Sequence, residues 1–124
     1  MELASSAALQ RPIKASVDRA IDLVHLSRMT FGDRALEREV LQLFARQSAQ
    51  IVAKLATASP AEMSPLAHTL KGSAAGVGAW SVADAASAVE RASQSPDQID
   101  RTVGRLRETV AEACSLVEDL LGSH

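Results

Sequence analysis

The sequence predicts an all-α fold, an up-and-down four-helix bundle with a short additional N-terminal helix, and three observations carry that expectation. The first is composition. The 124-residue chain is 47% hydrophobic and 23% charged, Ala, Leu, Val, Glu and Arg dominate, and its aromatic residues are Phe31, Phe44 and Trp80. Such a mixture favours helices packed through small and aliphatic side chains over sheets. The second is punctuation: turn-forming residues fall at Phe31-Gly32-Asp33, Ser59-Pro60, Gly76-Val77-Gly78 and Ser95-Pro96, and the stretches between them have helix length. The third is period, because apolar residues between those points recur at three and four, the spacing of one helix face. Short connections make sequential helices antiparallel, which closes a bundle. The length suits one domain over residues 1–124.

Taken in order, the elements have identifiable starts. Residues 1–14 are of low complexity and are expected to form a flexible extension. Asp22 can cap a short helix over Leu23 to Met29, while Ile13, Val17, Ile21 and Val24 leave an earlier start open. Asp33 caps a second helix, whose face of Leu36, Val40, Leu43, Phe44, Ile51 and Leu55 is expected in the core. Ser59 caps a third, Ala61 to Val77, with Pro60 in its first turn. The alanine-rich segment Val82 to Ser93 puts Val82, Ala86 and Val89 on one side, and its small residues allow close approach. Ser95-Pro96 opens the last helix, with Ile99, Val103, Leu106, Val110, Ala113, Cys114, Val117 and Leu120 on one stripe. Opposite them stand Arg101, Arg105, Glu108, Glu112 and Asp119. Neither terminus, including Gly122, Ser123 and His124, is expected to carry function.

Several functions are disfavoured at once. A formal charge of −2 and few aromatics supply neither a phosphate-tracking field nor a base-stacking platform, so nucleic acid is not an expected partner. Cys114 alone can form neither an intramolecular disulfide nor a thiolate cluster, which points to a reducing compartment. No apolar run approaches the roughly 18 residues of a membrane span, and the N-terminus lacks a signal-peptide pattern, so the chain reads as soluble and cytoplasmic. Paired Glu-x-x-His metal motifs, a P-loop and a G-x-S-x-G elbow do not occur, so no metal or nucleotide site of its own is assigned. No sustained heptad argues for a dimer, and a monomer is expected.

The third helix holds the informative residues. At about 100° per residue, Met63, Leu66, Ala67, Leu70, Ala74 and Val77 fall in one sector about 80° wide, which must face the core. His68 then points about 150° from its centre, Gly72 about 170°, and Ala75 and Gly76 about 130°. A solvent-facing helix surface is normally filled with charged side chains, and each interior glycine costs about 1 kcal/mol against Ala. Gly72 lies one turn from His68 on the same face and leaves the imidazole clear for another protein. Lys71 flanks it, where an ammonium can reach a negative group on the ring. An unperturbed imidazole titrates at about pH 6.5 and is mostly neutral in the cytoplasm, hence nucleophilic without an activating base. His25 and His124 read as ordinary solvated histidines.

These residues resemble the histidine-containing phosphotransfer (HPt) domain family of phosphorelays. The resemblance runs through His68-Thr69-Leu70-Lys71-Gly72-Ser73, Gly78-Ala79 and Val89-Glu90, and upstream through Asp33-Arg34-Ala35-Leu36 to Leu43-Phe44, so it covers about residues 22 to 94. The family often has a second Ser after the glycine, where this chain has Ala74, a position turned to the core. The resemblance implies a carrier: His68 takes phosphoryl from the aspartyl phosphate of one response-regulator receiver domain and passes it to another. Lys71 stabilises the phosphoryl charge, while Gly72, Ala75 and Gly76 form the docking strip. It implies no ATP site and no cofactor of its own, Mg²⁺ being supplied by the partner receiver, with a hybrid histidine kinase upstream. Phosphorylation on the outer imidazole nitrogen, Nε2, is the family's pattern. Two alternatives stand beside it. One is a non-catalytic helical adaptor that binds a receiver or kinase. The other is a histidine kinase's phosphoacceptor and dimerisation domain, which usually has an acidic residue where Thr69 follows His68.

Overall fold

Asp22, Asp33 and Ser59 set three helix starts by the same device, a side-chain oxygen accepting an amide that the first turn leaves without an intrahelical partner. Asp22 Oδ1 receives the His25 amide and Asp33 Oδ1 the Leu36 amide, both at 3.1 Å. Ser59 Oγ receives the Glu62 amide at 3.3 Å while Glu62 Oε1 receives the Ser59 amide at 2.9 Å, a complete capping box. In the computed structural model, which describes residues 20–122, these caps open helices α1 (Leu23–Met29), α2 (Arg34–Leu55) and α3 (Pro60–Val77). Helices α4 (Trp80–Ala92) and α5 (Pro96–Gly122) complete the described chain. The expectation for residues 1–14, the earlier start of the first helix and His124 lie outside the described residues.

Contacts run from α2 to α3, α3 to α4, α4 to α5 and α5 back to α2, with α1 laid against α3. That ring is the up-and-down bundle with its short N-terminal helix. Its core is Leu41, Phe44, Ile51 and Leu55 of α2, Met63, Ala67, Leu70 and Ala74 of α3, Val82, Ala86 and Val89 of α4, and Val103, Leu106, Val110, Ala113 and Val117 of α5. No described helix is long and apolar enough to cross a membrane.

Two expectations for the core are corrected. On α2 the inward stripe is Leu41, Phe44, Ser48, Ile51 and Leu55, whereas Leu36 and Leu43 are 37% and 59% exposed. Leu36 and Leu43 belong to the adjacent stripe, which α3 and α5 leave uncovered. Ser48 enters the core because its hydroxyl donates to the Phe44 carbonyl of the preceding turn (2.6 Å). Helix α4 begins at Trp80, two residues before the expected Val82.

The early start of α4 belongs to a latch that holds α1 in place. Asp22 is fully buried. Its amide donates to the Gly78 carbonyl at 2.8 Å and its Oδ2 receives Trp80 Nε1 at 3.1 Å. Gly78 ends α3 in the left-handed region at φ 83°, and a Cβ there would lie 2.9 Å from the Asp22 carbonyl oxygen. A glycine is therefore required on two counts, conformation and close approach. His25 is corrected too. It is not a solvated residue: its ring packs edge-on to Trp80 at 5.0 Å between centroids, and its Nε2 is buried without a hydrogen-bond partner among the described residues.

Candidate functional site

The register of α3 decides where its polar residues stand. Met63, Ala67, Leu70, Ala74 and Val77 are buried and Leu66 is half-buried, so the opposite face looks outward. His68 stands on that face with its side chain 68% exposed. Gly72 and Gly76 are exposed, and a Cβ built on either would meet nothing within 4 Å. Neither glycine is needed for packing. Ala75 is half-buried at the edge of the strip. The structure thus brings together His68, Lys71, Gly72 and Gly76 on one side of α3, with Ala75 at the margin.

Helix α4 contributes a residue that spacing along the chain did not reveal. Ala83, Ala85 and Ala86 are buried against neighbouring helices, and the close approach of α3 and α4 carries Glu90 to the flank of His68. Glu90 Oε2 lies 3.1 Å from His68 Nδ1, and Glu90 Oε1 lies 3.4 Å from Lys71 Nζ. One carboxylate therefore holds both candidate residues. Partial desolvation raises the Glu90 carboxyl, but hydrogen bonds from Lys71 and His68, helped by their charges, outweigh it and leave the group below its ordinary value. Glu90 is a carboxylate at neutral pH. Its only earlier signal was the Val89-Glu90 match within the family resemblance, because 22 residues separate it from His68.

The geometry defines the state of the ring. A carboxylate only accepts, so the hydrogen between His68 and Glu90 sits on Nδ1. In the neutral form of such a ring Nε2 carries the lone pair, and the His68 side chain is exposed. Beside this face, Val40, Leu43, Phe44 and Gln47 of α2 and Ser73 and Val77 of α3 line a shallow apolar groove. Among the described residues, no three or more His, Cys, Asp or Glu side chains converge in a way that could hold a metal ion.

An all-helical bundle with an exposed imidazole on one face of α3 defines the class, small helical-bundle proteins. The family model described as Hpt domain matches residues 39–116, and the chain belongs to that family, whose members are histidine phosphotransfer carriers in phosphorelays. The match opens within α2 and runs into α5. It therefore starts later and ends later than the sequence resemblance, and it leaves α1 and Asp22 outside. No curated protein and no solved structure matches the chain.

Proposed function

We propose that His68 is the phosphoacceptor, receiving a phosphoryl group at Nε2 from a receiver-domain aspartyl phosphate and passing it to the aspartate of another receiver. The observation that carries this reading is the exposed imidazole whose Nδ1 is engaged by Glu90, standing on a helix face where Gly72 and Gly76 leave open space. In-line transfer requires the two reacting groups to approach within about 3–3.5 Å, and Gly72 and Gly76 leave room for that approach. Lys71 supplies a cation one helical turn from the ring, suited to the oxygens of the transferring group. Mg²⁺ belongs to the receiver's acidic pocket in this reading, and the chain takes phosphoryl from other proteins rather than from ATP. The half-buried Ala75 beside the glycines extends the docking face for the receiver.

The test is direct. The chain is incubated with a phosphorylated receiver, and an acid-labile, base-stable label is expected on it. Binding without label would instead make it an adaptor, and label acquired from ATP alone would make it a kinase fragment.

A further inference from the structure

Helix α1 ends in a turn whose left-handed position holds a residue the fold does not favour there. The Gly32 amide donates to the Ser27 carbonyl at 2.9 Å and the Phe31 amide to the Arg28 carbonyl at 3.3 Å, the two bonds of a Schellman motif. The left-handed residue of that motif is ordinarily Gly or Asn. Here it is Phe31 at φ 57°, a region that strains a bulky side chain. Phe31 is also 91% exposed, so packing within the chain does not offset the strain. Beside this turn, Leu23 and Leu26 of α1, Leu41 of α2 and Leu120 and Leu121 of α5 line an open pocket of about 540 Å³. Phe31 does not fill it, although a cavity of about 150 Å³ already takes a benzene ring. Ser27 and Arg34, on either side of Phe31 in the chain, line the same pocket, so the projecting side chain and the opening share one end of the bundle.

We propose that this end of the bundle is the contact surface between two copies of the chain, with Phe31 of each copy seated in the leucine-lined pocket of the other. A two-fold contact requires one surface to carry both a projection and its complement, and this surface does. Its charges are complementary in the same way. Arg34 is exposed at the rim of the pocket and has no ion pair among the described residues, and Glu118, one helical turn before Leu121, is an exposed carboxylate. The two-fold arrangement sets Arg34 of one copy against Glu118 of the other. The missing heptad argues against a coiled coil, but a side chain seated in a pocket needs no heptad. Apart from Leu41, the pocket leucines, Phe31 and Arg34 lie outside the matched residues 39–116, so the contact belongs to this chain rather than to the family model. It uses α1, α2 and α5 and leaves the side of α3 and α4 that carries His68 and Glu90 uncovered. The inference is independent of the phosphotransfer reading.

Sedimentation equilibrium of the full chain from about 1 to 300 μM tests this, and a reversible monomer–dimer equilibrium is expected. Phe31→Asn removes the projecting ring and suits the left-handed turn, so its dimer dissociation constant should rise at least tenfold while its melting temperature at dilution equals or exceeds the parent's. Opposite effects on association and on folding separate a contact residue from a residue the fold needs. Ser27→Gln, an exposed change at the pocket, should weaken the dimer from the other side. Leu43→Asn removes another exposed apolar side chain, one that does not line this pocket, and should leave the equilibrium unchanged. In a mixture of isotope-labelled and unlabelled chains, NMR should show contacts from the Phe31 ring of one copy to the Leu120 and Leu121 methyl groups of the other. A monomer over the whole range overturns the inference, as does a dimer that Phe31→Asn leaves intact or that Leu43→Asn weakens equally. Methyl contacts from Leu120 and Leu121 to residues 1–19 of the same copy would also overturn it, by making the chain's own N-terminal segment the occupant. A lowered melting temperature for Phe31→Asn at dilution would return Phe31 to a role in folding.

Discussion

Trp80 Nε1 donates to Asp22 Oδ2 at 3.1 Å, joining the start of α4 to a residue 58 positions earlier that lies outside the family match. The same carboxylate caps α1 through its other oxygen. Asp22→Ala removes both interactions and leaves the partly buried indole donor without this acceptor. Loss of about 1–3 kcal/mol of stability is expected, read as a lowered midpoint in urea with an unchanged slope.

Gly78 is the point against which that latch closes. Gly78→Ala forces a side chain into a left-handed conformation, which costs about 1–2 kcal/mol by itself. It also sets a methyl group against the Asp22 backbone, 2.9 Å from its carbonyl oxygen. Thermal melts should show a larger loss than for any other Gly→Ala change in α3. A melting temperature equal to the parent's would mean the α3–α4 turn is not held as described.

For His68→Gln the expectation is an intact helical fold and no phosphoryl acceptance, because the side chain is outward and an amide is not a usable nucleophile. Circular dichroism and labelling from a phosphorylated receiver check the two halves separately. Full labelling of this variant would remove His68 from the carrier role.

Lys71 is 40% exposed, so its ion pair with Glu90 adds little to stability. Lys71→Ala should therefore melt near the parent. Its transfer rate should fall by about tenfold, equivalent to ~1.4 kcal/mol of lost charge-assisted stabilisation. Single-turnover transfer at saturating receiver isolates this effect from docking, and an unchanged rate would make Lys71 a solvated helix residue.

Gly72 separates clearance from packing. Open space around its Cβ position means Gly72→Ala should raise stability by up to about 1 kcal/mol, and Gly72→Gln should fold as well. Transfer by Gly72→Gln should nevertheless fall sharply, since a long side chain one turn from His68 holds the receiver's aspartyl phosphate beyond in-line reach. Unfolding of Gly72→Gln would falsify the outward register of α3.

Local chemistry was readable from the chain alone. The caps at Asp22, Asp33 and Ser59, the core stripe of α3 and the outward direction of His68 and Gly72 all follow from rules that act over three or four residues, and the structure agrees with each. The same short range set the limit. On α2 two apolar stripes run side by side, and the chain alone does not say which one a neighbouring helix will cover. Helix packing chose Leu41 over Leu36 and Leu43.

Tertiary structure also decided the company each histidine keeps. His25 looked solvated, yet the return of α4 places Trp80 against it. His68 was legible as an outward imidazole, but not its orientation, because Glu90 reaches it only when α3 and α4 pack side by side. Periodicity determined which face of α3 carries His68. Which ring nitrogen is held and which is free depends on a contact between distant residues, and only the folded chain makes it.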